Sequence, residues 1–345
     1  MERIAGDDGC FRMLAIDQRG SLRRMLASQM GIAESEVPVS AIREVKRAVS
    51  EVLAPHGTGL LTDPDYGFAS GVEAVGRHVG LLLCIDESGY LQLGSGDPPA
   101  RISRRLEHFS VEQAKLAGAD AIKILLPYRP DATDGSREYQ EHYARMIGEE
   151  CVRWDIPFVF EIVAYELDEP GKDSPEYAAR KPEWVIESAR VFSRPEFHAD
   201  VLKLEFPADL KYAAEYADGR FDGVRRPAQY DLDAVWTFCQ ELDKACGRPW
   251  VLLSAGVSID EFVENVKLAC AAGASGFLCG RAIWADAVQQ YPNSAAMQKA
   301  LRVGAVQNFC RANEAAAEAR PWYAHPSIGG RAALAFPDDW FAREG

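Results

Sequence analysis

No apolar run in this 345-residue chain reaches the roughly 20 residues that a membrane-spanning helix needs. The opening stretch, Met1 to Gly9, carries no apolar core of the kind a secretory leader has, so a cytoplasmic location is expected. Basic charge is scarce. The net charge of −14 argues against nucleic acid and anionic membrane surfaces as partners, because both require a basic footprint. It does not exclude a small anionic substrate, which local arginines and helix N-termini can hold within an acidic protein. Histidines number only six, and no two have the spacing of a metal-ligand pair. The eight cysteines are scattered with no Cys-x-x-Cys, which reads as buried free thiols in a reducing compartment. Glycine-rich dinucleotide and phosphate-loop fingerprints are also missing. The expectation is therefore a protein with no metal and no cofactor.

Apolar residues make up 48% of the chain and charged residues 26%, ordinary values for a globular protein with a large core. Eight short apolar runs read as strands, near 12–17, 58–62, 80–86, 120–126, 157–163, 200–206, 249–254 and 275–279. Between them, segments near 38–54, 110–118, 136–154, 182–193, 231–246 and 258–272 have helical spacing. Ser110 to Gln113 and Ser258 to Glu261 have the form of capping boxes, and Gly118 and Gly273 stand where those helices should stop. Eight such units in series predict an α/β protein of the (β/α)8 TIM-barrel class, with a doubly wound sheet as the alternative. With no linker, repeat or low-complexity tract, a single domain over 1–345 is expected, its barrel core spanning about 11–290. The glycine- and proline-rich segments 87–104 and 164–181 read as loops decorating one face. Residues 291–345 read as a helix-rich C-terminal extension, near 295–319, and a tail containing Trp322, Tyr323, Trp340 and Phe341. That tail either wraps back or pairs with a second copy, so a homo-oligomer is an open possibility.

Polar groups inside apolar runs carry the functional signal. Lys203 lies in Ala199-Asp-Val-Leu-Lys-Leu-Glu-Phe-Pro207 and Glu161 in Phe158-Val-Phe-Glu-Ile-Val-Ala164. Burial favours the neutral amine of a lysine, and a neutral amine attacks ketones. Side chains alternate along a strand, which places Val201, Lys203 and Glu205 on one face and Leu202, Leu204 and Phe206 on the other. The same parity turns Lys123 and Glu161 inward, so Lys123, Glu161 and Lys203 converge from three successive strands. Asp17, Asp63, Asp65 and Asp86 stand at or after strand ends, where barrel active sites lie. A purely structural set of charged core residues is the alternative; three converging on one end, plus Asp17, favour a site. After the seventh and eighth strands come Leu253-Ser-Ala-Gly-Val257 and Leu278-Cys-Gly-Arg-Ala282. Their small residues let backbone N–H groups approach an anion, and Arg281 adds charge at the usual phosphate position of this fold. Ser254, Gly256, Leu278, Gly280 and Arg281 are the candidates there.

The chain resembles the class I tagatose-1,6-bisphosphate aldolase family over about residues 11–290. The resemblance rests on Ala15-Ile-Asp-Gln-Arg-Gly-Ser-Leu22, Leu61-Thr-Asp-Pro-Asp-Tyr-Gly67, Gly118-Ala-Asp-Ala-Ile-Lys123, Phe160-Glu-Ile162, Asp200-Val-Leu-Lys-Leu-Glu205 and the run from Leu253 to Trp284. It implies a barrel that reversibly cleaves a ketose phosphate without metal, giving dihydroxyacetone phosphate and an aldehyde such as glyceraldehyde 3-phosphate. It also implies Lys203 as the Schiff-base lysine, Glu161 as acid and base, and Asp17, Gln18 and Lys123 as substrate contacts. In three places the chain departs from the family pattern. Cys84-Ile-Asp-Glu-Ser-Gly-Tyr90 stands where a sequence closer to Tyr-Glu-Lys-Thr-Gly is expected, Leu126-Pro-Tyr-Arg129 replaces a tyrosine-rich stretch, and Glu205-Phe-Pro207 replaces Glu-Val-Pro. The lysine and the first phosphate turn survive these changes, and the pocket for the aldehyde half is what they leave undefined. They leave open a 6-sulfo or deoxy-keto-gluconate phosphate as substrate, and a catalytically weak sugar-phosphate sensor as a further alternative.

Overall fold

The computed structural model describes residues 1–335 apart from 75, 77, 94–99 and 168–170. Gly94, Gly96, Pro98 and Pro99 of the first predicted loop, Asp168, Glu169 and Pro170 of the second, and Trp340 and Phe341 lie outside the described residues. The strands β1 (Phe11–Ala15), β2 (Gly59–Thr62), β3 (Gly80–Cys84), β4 (Ala121–Pro127), β5 (Phe158–Val163), β6 (Val201–Leu204), β7 (Trp250–Leu252) and β8 (Gly276–Cys279) close into a parallel barrel. Sequential strands are neighbours all the way round, and β8 closes on β1 through Phe11 opposite Gly276. That closure excludes the doubly wound alternative.

Around the barrel lie α1 (Gly20–Met30), α2 (Val39–Leu53), α3 (Gly67–Gly71), α4 (Val111–Leu116), α5 (Asp134–Arg153), α6 (Pro175–Phe192), α7 (Leu232–Ala245), α8 (Ile259–Ala272) and α9 (Arg281–Val288). No described helix is long and apolar enough to cross a membrane. Strand alternation divides the apolar residues into two cores. Leu14, Leu60, Leu83, Ile122, Phe160, Leu202, Leu252 and Phe277 face outward into one cluster with the helices. Phe11, Met13, Leu61, Leu82, Ala121, Val159, Val201, Val251 and Leu278 fill the barrel itself. Each such side chain contributes about 1.5–3 kcal/mol when fully buried.

The structure corrects several sequence expectations. Helix α6 begins at Pro175, not near 182. Ser174 caps it by accepting from the Tyr177 N–H at 3.1 Å, and Pro182 is accommodated within the helix. Segment 87–104 contains a two-stranded antiparallel hairpin, Leu91–Leu93 with Ala100–Ile102. Helix α1 starts on Gly20 with no side-chain cap, so no start signal marks it in the sequence. The box at Ser110 is reciprocal, whereas at Ser258 only the serine half forms and Glu261 is buried instead. Seven cysteines are buried, but Cys310 is exposed.

The C-terminal extension runs as α10 (Ser294–Ala300), a wider π turn over Leu301–Ala305, and α11 (Val306–Ala315). The chain then returns beneath the barrel. Trp322 donates its backbone N–H to Gly9 at 2.9 Å and packs among Ile4, Phe11 and Met13, closing the floor at the N-terminal ends of the strands. The cavities over Lys203 and Glu161 lie at the opposite end. Trp322→Ala is therefore expected to cost about 3–5 kcal/mol by opening a cavity in the floor. Urea unfolding will show this as a lower midpoint, while kcat of the folded protein stays at the unaltered value.

Candidate active site

Register places Glu161 of β5 directly opposite Lys203 of β6, and Leu125 of β4 opposite Glu161. With inward parity on each strand, the polar side chains stack above the apolar plug at the C-terminal end of the barrel. Lys203 Nζ lies 3.0 Å from Glu161 Oε1. Lys123 Nζ lies 2.7 Å from the other oxygen of the same carboxylate and 3.0 Å from Asp17 Oδ2. Asp17, Lys123, Glu161 and Lys203 thus form one chain of alternating charge, with the last three buried on their strands and Asp17, two residues past β1, partly exposed. Each ion has its counter-ion, which is what permits ionised groups in such a place.

The electrostatics follow from this pairing. Burial alone would push the Lys123 ammonium down. The carboxylates of Asp17, Asp86 and Glu161 outweigh that effect and hold it well above the ordinary lysine range. Burial would push the Asp17 carboxyl up, but Lys123 and Lys203 hold it below the usual carboxylate range. Asp86 is different. Burial pushes its carboxyl upward against the pull of Lys123 and Arg19, and its Oδ1 has no partner among the described residues.

Two cavities meet over Lys203 and Glu161. Gln18, Tyr90, Leu125 and Arg281 line both. The smaller lobe, about 210 Å³, is bounded by Leu278, Gly280, Ser254 and Ala255 on one side and Arg101, Tyr165 and Lys172 on the other. The larger, about 420 Å³, takes in Asp17, Arg19, Arg24, Asp86, Ser88 and Lys123. The turn after β7 is shaped for close approach. Ala255 and Gly256 have consecutive positive φ values of 47° and 80°, and the Val257 N–H closes the turn on the Ser254 carbonyl at 3.0 Å. At Gly280, which precedes α9, an added Cβ would sit 2.6 Å from the Ala15 carbonyl oxygen, so only glycine fits. Arg281 makes no ion pair with any described residue and faces both lobes.

Nine of the ten residues picked out in the sequence line this double cavity. The exception is Gly256. It lies against the Arg281 guanidinium and lines a separate cavity behind the turn. Glu205 points inward as parity requires, and its Oε2 accepts the Ala164 N–H at 2.7 Å. Asp63 and Asp65 do not enter the lobes; Asp63 pairs with Lys46, and Asp65 with Arg19 and His108. Sequence reasoning missed Tyr90, Arg101, Lys172 and Arg24. Tyr90 and Lys172 stand on irregular connections with no period to read, Arg101 on a hairpin strand of three residues, too short to show one, and Arg24 on a helix that carried no start signal. Among the described residues no three histidine, cysteine or carboxylate side chains are grouped as a metal ion would require.

A family model for DeoC/LacD family aldolases matches residues 11–286. The chain belongs to the DeoC/LacD family of aldolases. It is 36% identical over 318 residues to tagatose 1,6-diphosphate aldolase 2 of Streptococcus agalactiae, an alignment covering 91% of this chain and 93% of that one. It is 38% identical over 290 residues to tagatose 1,6-diphosphate aldolase 1 of Enterococcus faecalis, with 84% of each chain covered. In fold it is similar to fructose-bisphosphate aldolase from Plasmodium falciparum, at a TM-score of 0.66 and 14% identity over 92% of this chain and 93% of that one. Members of an aldolase family are carbon–carbon lyases.

The charge chain makes a pH prediction. Asp17 is depressed from 3.8, so its stabilising effect is present above that value and is lost as the pH falls through the folded value. Lys123 is raised from 10.5, so its effect is complete below that value and is lost as the pH rises beyond it. Asp17→Asn should therefore lower the thermal midpoint near neutral pH, with the gap to the unaltered protein narrowing below about pH 4. A thermal-unfolding series across pH reads this directly.

Proposed function

We propose that this chain is a class I, Schiff-base aldolase that cleaves a ketose 1-phosphate or bisphosphate of the tagatose-1,6-bisphosphate type. The products are dihydroxyacetone phosphate and an aldehyde such as glyceraldehyde 3-phosphate. The observation that carries the reading is the 3.0 Å contact between Lys203 Nζ and Glu161 Oε1 at the junction of the two lobes. A proton passing across that contact converts an ion pair into an amine and a carboxylic acid, the two species that imine formation requires. Lys123 stays charged on the other carboxylate oxygen and orients Glu161 without competing as a nucleophile.

The Lys203 amine adds to C2 of the open-chain ketose. The resulting hydroxyl leaves as water with a proton from Glu161, forming a protonated imine. Glu161, now a carboxylate, takes the C4 hydroxyl proton. The C3–C4 electron pair moves into the imine as the aldehyde departs, leaving an enamine on Lys203. Protonation at C3 and hydrolysis release dihydroxyacetone phosphate and restore the amine. The 1-phosphate sits in the small lobe, against the Ser254–Gly256 turn and the Gly280–Arg281 start of α9, where backbone N–H groups and the helix dipole favour an anion. The larger lobe takes the aldehyde half. Arg24, which lines only this lobe and has no ion-pair partner among the described residues, supports an anionic group there. No step draws on a metal or cofactor, and the cytoplasm is the compartment proposed.

Sodium borohydride with dihydroxyacetone phosphate should trap an adduct on Lys203, mapped by peptide mass, and Lys203→Met should abolish both trapping and cleavage. Glu161→Gln is expected to lower kcat by about 10²–10⁴-fold. A cleavage panel of tagatose and fructose bisphosphates, 6-sulfo analogues and deoxy-keto-gluconate phosphates identifies the aldehyde half. Absence of trapping with every ketose phosphate would overturn the proposal. A second prediction concerns metal: cleavage in excess chelator proceeds at the untreated rate, measured by coupled assay on the same panel.

A further inference from the structure

A second fully buried ion pair lies just outside the barrel wall, one residue away from the catalytic network. Lys46 of α2 places its ammonium 2.6 Å from Asp63 Oδ2, and both side chains are completely buried. Such a pair is weak as a source of stability, since apolar residues of similar volume do as well or better. Its geometry suggests another use. Asp63 is fixed in place, its Oδ1 accepting the Tyr66 N–H at 2.8 Å and its carbonyl accepting the Phe68 N–H at 2.8 Å. Lys46, anchored there, donates to the carbonyl of Ile16. That carbonyl belongs to the peptide unit whose nitrogen is Asp17's. One residue earlier, the fully buried Trp284 of α9 donates its indole N–H to the Ala15 carbonyl at 3.0 Å.

Two helices therefore hold two successive carbonyls of the chain where it leaves β1, and the next side chain is the carboxylate 3.0 Å from Lys123. The ladder reaches only the first of these two peptides, through the Ile16 N–H donating to the Leu61 carbonyl of β2 at 2.9 Å; Trp284 holds the carbonyl side of that same peptide, and Lys46 holds the next one, which leads into Asp17. Resting on the Schiff-base reading of the site, we propose that Lys46 and Trp284 are positioning residues for catalysis, acting through the Ala15 and Ile16 carbonyls to fix Asp17 and, through Lys123, the orientation of Glu161. Neither touches the cavity that holds substrate.

The test uses two independent variants. Lys46→Met alone would strand Asp63 as a buried charge, so it is combined with Asp63→Asn, which keeps an acceptor for Tyr66. Trp284→Phe removes the other donor while keeping an aromatic ring. On tagatose 1,6-bisphosphate each variant is expected to lower kcat by about 10- to 100-fold, the scale of a small misplacement of catalytic groups. KM should stay within about threefold, and in an Asp17→Asn background the same changes should alter kcat by less than about threefold. Hydrogen exchange over residues 15–18 should quicken while the other barrel strands exchange as before. Unchanged kcat overturns the proposal. So do equal losses in both backgrounds, which general loosening would give. Should the unaltered protein cleave no ketose phosphate, the functional reading fails on its own account. Exchange over 15–18 then decides this one, and unchanged exchange overturns it.

Discussion

A closed line of compensating charge, Asp17 to Lys123 to Glu161 to Lys203, organises this protein. Two carboxylates and two ammonium groups cancel one another inside a wall of apolar strands. None is tolerable there alone, because an unpaired ion in that environment costs several kcal/mol. The four groups come from four different strands or strand ends, so pairing them requires the whole barrel to close in register. The same dependence keeps the site intact: a strand that slipped by one residue would turn its charged side chain out among the helices.

The surrounding layers serve this arrangement. The outer cluster of Leu, Ile, Val and Phe between strands and helices supplies the stabilisation that a polar barrel mouth does not. Below the charges, Phe11, Met13, Leu82, Val159 and Val201 fill the barrel, and Trp322 from the C-terminal segment closes it underneath. Water is thus kept from one end of the network while the other opens to the cavity. The Lys203–Glu161 contact at 3.0 Å gains from that exclusion, since electrostatic interactions strengthen as the local dielectric falls.

In the proposed mechanism, chemistry and selectivity occupy different parts of the molecule. Lys203, Glu161 and Lys123 stand on rigid strands, where a small displacement is resisted by two packed cores. The groups that line the outer parts of the cavity, from Ser254 and Arg281 to Tyr90, Arg101 and Lys172, stand on turns, a hairpin and a helix start. Asp86 to Tyr90, on one such connection, form a wall of the larger lobe.

The amino-acid sequence by itself determined the barrel, its eight strands, and the inward direction of Lys123, Glu161 and Lys203. Strand alternation has a period of two, and a charge within an apolar run is visible in one dimension. It also marked Gly280 and Arg281, because the turns after the last two strands occupy a fixed place in this topology. Tertiary structure alone decided which charges meet. Asp17 finds Lys123 across 106 residues, whereas Asp63, equally well placed by sequence, turns away to Lys46. It also set Gly256 behind the turn, started α6 seven residues before Pro182, and brought Trp322 back to the floor. Each of these outcomes depends on a neighbour distant in the chain, and no local propensity or period encodes such a neighbour.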